Sequence, residues 1–243
     1  MKSLAYALLA LALFSSSVLA ADPMPVFGKN AVILFQGDSI TDGGRGRGDD
    51  PNHILGHSYP FLISAKYGAL LPERNLQFIN RGISGNKVQD LATRWQKDAL
   101  DLNPTLLSIL VGINNRAQFR TPESGFTLED FEKTYDKLLS DIRVARPDVK
   151  IVLCDPFVFA MGKEKETYEQ DRVLVEKMQE AVARLAVKYH TPVAHFQKAL
   201  DAACKRAPLE HWVWDGIHPT YSGQQILADE WEWAVRAFWL EGK

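Results

Sequence analysis

The chain has 243 residues, 46% hydrophobic and 24% charged, with a formal net charge of −2. That length and balance suit one globular domain with a sizeable core. The near-neutral charge excludes the basic excess of a nucleic-acid binder and the acidic block of a solvating tail.

Residues 1–20 stand apart from the rest. Lys2 supplies a positive start, Leu4 to Phe14 is an unbroken apolar run, and Val18-Leu19-Ala20 places small residues at a cleavage site. This is the pattern of a secretory signal peptide cut after Ala20. The run falls short of the roughly 20 apolar residues of a membrane span. Residues 21–243 are therefore expected to form one domain outside the cytoplasm, with no stable membrane insertion. The cysteines Cys154 and Cys204 would be permitted to bridge there, although two cysteines are no disulfide framework. Cys154 sits in an apolar run and reads equally as a small core residue.

Five short apolar, β-branched-rich runs follow along the chain: Ala31 to Gly37, Leu76 to Gly82, Leu106 to Gly112, Lys150 to Pro156 and Pro192 to Phe196. Continuous rather than alternating hydrophobicity marks strands buried on both faces, as in a parallel sheet. Between them, Tyr59 to Tyr67, Val88 to Leu100, Leu128 to Ala145 and Tyr168 to Tyr189 carry helical spacing. The connections are long enough for the crossovers that parallel strands require. The chain closes on an amphipathic helix, Tyr221 to Leu240, with Ile226, Leu227, Trp231, Ala234, Val235 and Phe238 along one stripe. No repeat or linker divides it, and the pattern is that of a single α/β/α domain.

In open parallel sheets, sites form outside the carboxyl ends of the strands. After the first strand comes Gly37-Asp38-Ser39-Ile40-Thr41, after the second Asn80-Arg81-Gly82-Ile83-Ser84-Gly85, after the third Gly112-Ile113-Asn114-Asn115. Asp215-Gly216-Ile217-His218-Pro219 comes late in the chain. A serine hydroxyl needs a base to take its proton, and that base needs an acceptor on its second ring nitrogen. Asp215 and His218, three apart, can meet within one tight turn. An oxyanion needs preorganised donors. The N–H groups of Ser39 and Gly82 and the side-chain amide of Asn114 supply three candidates, provided the first strand lies between the second and third.

These segments resemble the sequence blocks of the SGNH, or GDSL-type, hydrolases. Gly37-Asp38-Ser39-Ile40 is similar to the nucleophile block, Gly82 lies in the second, Gly112-Ile113-Asn114 in the third, and Asp215-Gly216-Ile217-His218-Pro219 in the last. The resemblance implies a three-layer α/β/α, flavodoxin-like fold with a five-stranded parallel sheet in the order 2-1-3-4-5. It also implies no cofactor and no metal, and a Ser39-His218-Asp215 triad with Ser39, Gly82 and Asn114 at the oxyanion. One position departs from the family, where Asp commonly follows the Asn; here it is Asn115.

Each residue also has a plainer reading. Ser39 would serve equally as a helix cap, Asp38 as an acceptor of backbone N–H groups near it, and Trp212 and Trp214 as packing for the last helix rather than walls of a cleft. His190, His195 and His211 read as surface or core histidines. Ser84 is a rival nucleophile, but Gly82-Ile83-Ser84-Gly85 lacks the Gly-x-Ser-x-Gly spacing of the α/β-hydrolase elbow. A metal-dependent phosphoesterase would draw on Asp38, Asp42, Asn114, Asn115, Asp215 and His218, yet only one histidine falls in a motif. A non-catalytic glycan-binding protein is the remaining alternative. Arg45-Gly46-Arg47-Gly48-Asp49 matches RNA-binding or adhesion motifs only by common residue types. The polar loop from Thr41 to Ser58 favours a small ester on a polar sugar, so the expected activity is deacetylation of an extracellular carbohydrate. Arylesterase, thioesterase and lysophospholipase activities stand as alternatives on the same fold.

Overall fold

The structure, a computed structural model, describes residues 22–242; the leader at residues 1–20 lies outside the described residues. Five parallel strands, β1 (Val32–Gly37), β2 (Gln77–Asn80), β3 (Leu106–Leu110), β4 (Lys150–Cys154) and β5 (Val193–Ala194), form one sheet in the order β2-β1-β3-β4-β5. That is the expected order, and it sets β1 between β2 and β3. The helices are α1 (Ser39–Asp42), α2 (Tyr59–Leu70), α3 (Val88–Thr93), α4 (Trp95–Asp98), α5 (Arg116–Phe119), α6 (Leu128–Ala145), α7 (Tyr168–Tyr189), α8 (Phe196–Ala203), α9 (Leu209–Trp212) and α10 (Tyr221–Leu240). α10 packs between α2 and α8 on one face, and α6 between α3 and α7 on the other.

The continuous hydrophobicity of the central strands follows from this sandwich. Successive residues of a strand point to opposite faces, and Ile33, Leu34 and Phe35 are all fully buried. On one face, Phe35 meets the Trp231 ring of α10 at 5.7 Å between centroids. The Trp231 indole N–H donates to the Ser108 hydroxyl of β3 at 2.9 Å, so the polar edge of a large buried ring is satisfied. On the other face, Phe131 and Tyr135 of α6 are fully buried. α6 begins on a reciprocal cap in which the Thr127 hydroxyl accepts from the Asp130 N–H and the Asp130 carboxylate accepts from the Thr127 N–H.

Two differences from the sequence reading stand out. The expected helix over 88–100 breaks at Arg94 into α3 and α4. There the Arg94 guanidinium turns inward to the carbonyls of Arg81 and Gly37, so a long side chain serves the strand ends instead of the helix surface. β5 is only two residues long, because Val193 and Ala194 alone pair with Leu153 and Cys154 at the sheet edge. Cys154 and Cys204 are both free. Cys154 is buried in the core, where burial pushes its thiol well up from the ordinary value.

At the end of β1 the backbones crowd. A Cβ on Gly37 would lie 2.4 Å from the Leu110 carbonyl oxygen, which belongs to the neighbouring strand, and 2.4 Å from the Thr41 hydroxyl. The Leu110 backbone cannot yield without opening the β1–β3 ladder. Gly37→Ala is therefore expected to cost about 1–3 kcal/mol, the usual range for overpacking. Thermal and urea melts of the variant measure it, and a parental melting temperature would contradict the contact.

Candidate active site

The site assembles at the C-terminal ends of β1, β2 and β3. Where β1 ends, Asp38 caps α1 by accepting the Ile40 N–H at 3.0 Å. Ser39 is the first residue of that helix, where backbone N–H groups have no partner within the helix. The Ser39 hydroxyl lies 2.8 Å from His218 Nε2, and His218 Nδ1 lies 2.7 Å from Asp215 Oδ2. The other Asp215 oxygen accepts the N–H groups of Ile217 at 3.0 Å and His218 at 2.8 Å. The three-residue spacing thus closes a turn in which one carboxylate fixes both the loop and the ring. Burial alone would raise the Asp215 carboxyl, but the bonds from the His218 ring and these two N–H groups hold it below the ordinary carboxylate value.

This turn is itself braced. Val213 and Pro219 form an antiparallel bridge, and the Trp214 N–H donates to the His218 carbonyl at 3.1 Å. Gly216 takes φ 102°, a left-handed value, and a Cβ there would lie 2.7 Å from the Phe159 carbonyl oxygen. The Phe159 N–H in turn donates to the Gly216 carbonyl at 2.8 Å.

Gly82 and Asn114 flank β1 from the two neighbouring strand ends. A Cβ on Gly82 would sit 2.4 Å from the Asp42 backbone nitrogen, so only glycine fits. Its N–H donates to Asn80 Oδ1 at 2.9 Å, so any donation to an oxyanion shares or displaces that bond. Asn114 directs one amide hydrogen at the Asn86 carbonyl, 3.0 Å away, which fixes the amide and leaves its second hydrogen for another acceptor.

Two organising residues escaped the sequence reading. The buried Asn80 amide donates to the carbonyls of Thr41 and Leu55 at 2.7 and 2.9 Å, clamping the end of β2 to the turn that carries Ser39 and the loop beyond it. A polar residue closing an apolar strand was the available signal. Asp42, read only as a potential metal ligand, accepts from Arg47 at 3.0 and 2.7 Å, from the Ser84 N–H and hydroxyl at 3.0 Å each, and from the Arg45 N–H at 3.2 Å. The Ser84 hydroxyl is thus engaged as a donor to a carboxylate. Asn115 is buried, accepts the Val88 N–H at 3.1 Å and donates to Gln89 and Gln118 at 2.9 and 3.1 Å. With both glutamine oxygens turned towards it, the amide at 115 supplies two donors that an ionised Asp would lack. Among the described residues, no three of His, Cys, Asp or Glu converge as a metal site.

The two tryptophans divide the readings offered for them. Trp212 is buried, with its indole N–H on the Ala207 carbonyl. Trp214 is 65% exposed and lies nearly parallel to the His218 ring, 5.9 Å between centroids. It walls a pocket of about 260 Å³ together with Ser39, His57, His218 and Tyr221.

Known proteins share this arrangement of chain. A profile of the GDSL-like lipase/acylhydrolase family matches residues 35–226. The acetylxylan esterase of Geobacillus stearothermophilus is 32% identical over 208 residues, covering 83% of this chain and 92% of that protein. A Parabacteroides merdae protein described as GDSL-like superposes with a TM-score of 0.78 at 34% identity, over 86% of this chain and 96% of the other. A crystal structure of an acetylxylan esterase from G. stearothermophilus gives 0.75 at 30% identity, over 86% and 95%. Fold and relatives together define a carboxylic ester hydrolase. The chain belongs to the GDSL-like lipase/acylhydrolase, or SGNH, family.

If Asn114 donates to the developing oxyanion, the bond strengthens only as charge builds. Asn114→Ala is then expected to lower kcat by roughly 10²–10³ with little change in KM. Asn114→Asp, which sets a carboxylate against the oxyanion, should be at least as damaging. Steady-state kinetics with parallel thermal melts decide the matter. An active Asn114→Asp enzyme with a lowered melting temperature would make Asn114 a turn residue only.

Proposed function

We propose that this protein removes acetyl groups from an extracellular carbohydrate by a Ser39-His218-Asp215 mechanism. The observation that carries this reading is the unbroken chain of contacts from the Ser39 hydroxyl through His218 to Asp215, at 2.8 and 2.7 Å. In the first half-reaction, Ser39 Oγ attacks the ester carbonyl while His218 Nε2 takes its proton. Asp215 accepts from Nδ1–H and stabilises the imidazolium that forms. The oxyanion is met by the Ser39 N–H, the Asn114 amide and the Gly82 N–H. His218 then gives its proton to the departing sugar oxygen, leaving acetyl on Ser39. Water, deprotonated by the same imidazole, releases acetate and restores the serine.

The acetyl preference draws support from three sides. A pocket of about 260 Å³ lies below the roughly 300–1,000 Å³ of sites for drug-sized ligands, which suits a short acyl group. The exposed Trp214 ring offers a face for a sugar beside the nucleophile. The relatives named as acetylxylan esterases act, by those names, on acetylated xylan. Export is supported by the leader pattern at residues 1–20, and among the described residues no helix is long and apolar enough to cross a membrane.

Two measurements test the reading. Ser39→Ala should remove about four to six orders of magnitude in rate with the fold intact, and a sulfonyl fluoride should label Ser39; labelling of Ser84, with Ser39→Ala still active, would reject the triad. Across p-nitrophenyl esters of increasing length, acetyl should turn over faster than octanoyl, with acetate released from acetylated xylan or pectin. A rate maximum at eight carbons or longer would move the enzyme to the lysophospholipase alternative.

A further inference from the structure

A second and larger cleft, about 500 Å³, is lined by the continuation of the loop that lines the Ser39 pocket. The loop after α1 divides them: Gly43 and Gly44 face the Ser39 pocket, while Arg45 and Gly46 face the second cleft. From Gly43 to Gly46 the chain can span at most about 11 Å, so the loop residues that line the two spaces lie within a sugar ring or two of each other.

The cleft is cationic. Arg45, Arg47, Arg81 and Lys97 line it against only two carboxylates, Asp49 and Asp98. Arg47 is neutralised by Asp42 at 2.7 Å. Asp98 is shared by Arg94 at 3.1 Å and Arg81 at 3.7 Å. With Arg94 and Asp42 counted, five cations (Arg45, Arg47, Arg81, Arg94, Lys97) stand against three carboxylates (Asp42, Asp49, Asp98), so the cluster keeps two positive charges, and the Arg45 and Lys97 side chains bond none of the three. Arg45 donates from Nε to the Gly82 carbonyl at 2.9 Å, and its two terminal nitrogens have no partner among the described residues. Neither has the Lys97 ammonium. Burial, then the neighbouring Arg47, pulls the Arg45 guanidinium down to about 10, against the attraction of Asp42 and Asp98. Half-buried Phe78, beside these groups, offers an apolar surface on which a pyranose ring can lie.

We propose that this cleft is a subsite for a carboxylate carried on a sugar of the ester substrate, a uronic acid residue close to the acetylated one. Arg45, Arg81 and Lys97 form its cationic wall. The proposal rests on the carbohydrate-deacetylase reading above. Because Arg45 is bonded to Gly82, the carboxylate is held next to the strand end that serves the reacting carbonyl, so the charge selects which acetyl group is presented to Ser39.

The test compares acetate release from acetylated xylo-oligosaccharides with and without a glucuronic acid branch. The native enzyme is expected to favour the acidic substrate in kcat/KM by about fivefold, the scale of a partly exposed ion pair. The preference should vanish at about 1 M salt, where the screening length is about 3 Å. In the double variant Arg81→Gln, Lys97→Gln, shown folded by its melting temperature, the acidic-to-neutral ratio should fall towards one. Equal rates on both substrates in the native enzyme would overturn the subsite and leave the deacetylase reading standing, as would a salt-independent preference or an unchanged ratio in the folded variant. No acetate from either oligosaccharide, with an aryl acetate still cleaved, would remove the carbohydrate reading and the subsite together. Loss of the preference on adding inorganic phosphate but not free glucuronate would reassign the cleft to phosphate and overturn the carboxylate.

Discussion

The site depends on how closely three backbones approach at the carboxyl end of β1. A parallel sheet sets neighbouring strands only about 4.8 Å apart, and here that spacing is exploited without side chains between. Gly37 abuts the Leu110 carbonyl and Gly82 abuts the Asp42 nitrogen, each too near for a Cβ. The proposed mechanism has the N–H of Ser39, the backbone of Gly82 and the amide of Asn114 meet one small carbonyl, and these two glycines keep side chains out of the close approach it needs. Asn80 and Asp42 then hold what the glycines bring together, one from the end of β2 and one from the end of α1.

The loop that carries Asp215 and His218 arrives from far along the sequence and needs its own anchorage. Gly216 is pressed against Phe159 and Glu164. Glu164 is buried and bonded to Arg116, which also reaches the buried Asp171 at 3.2 Å; Arg120 reaches the same carboxylate at 2.7 Å. Arg116 begins α5, immediately after Asn114 and Asn115. A single buried charge cluster therefore ties the loop of the candidate oxyanion donor to the loop of the candidate base. Buried ion pairs contribute little net stability because desolvation offsets attraction. Their geometry is demanding, however, and fixing the register of two loops is a use suited to that demand.

What could be read from the sequence follows from what periodicity and motif encode. Apolar runs located all five strands, since burial on both faces leaves a direct trace in composition. The segments beginning at Gly37, Asn80 and Gly112 were legible because they follow strand ends, and Asp215-Gly216-Ile217-His218 because its three-residue spacing fits one tight turn. Strand order was not in the pattern itself and came through the family resemblance. The break at Arg94 was invisible because a helix-compatible residue there turns inward to distant carbonyls, a purely tertiary reason. Asn80 and Asp42 were missed as organisers for the same cause: their partners lie on loops separated in sequence, and nothing local distinguishes a clamping side chain from a solvated one. The amide at Asn115 became intelligible only with Gln89 and Gln118 beside it.

Two carboxyls flank the proposed reaction, and the structure drives them apart. Asp38, next to Ser39, is fully buried; one oxygen accepts from Ile40, and the other has no partner among the described residues. Burial pushes it up to about 7, despite the Ile40 bond and the attraction of His218. Asp215 keeps some exposure, accepts from three donors, and is held low. Environments that separate two like groups in this way commonly assign them different tasks. Of the two, Asp215 is the one held towards its charged form, and in the proposed mechanism it is the carboxylate that stabilises an imidazolium at His218. The same separation suits Asp38 to capping α1 and, in the proposed mechanism, Asp215 to serving as the electrostatic partner, although the two are chemically identical residues.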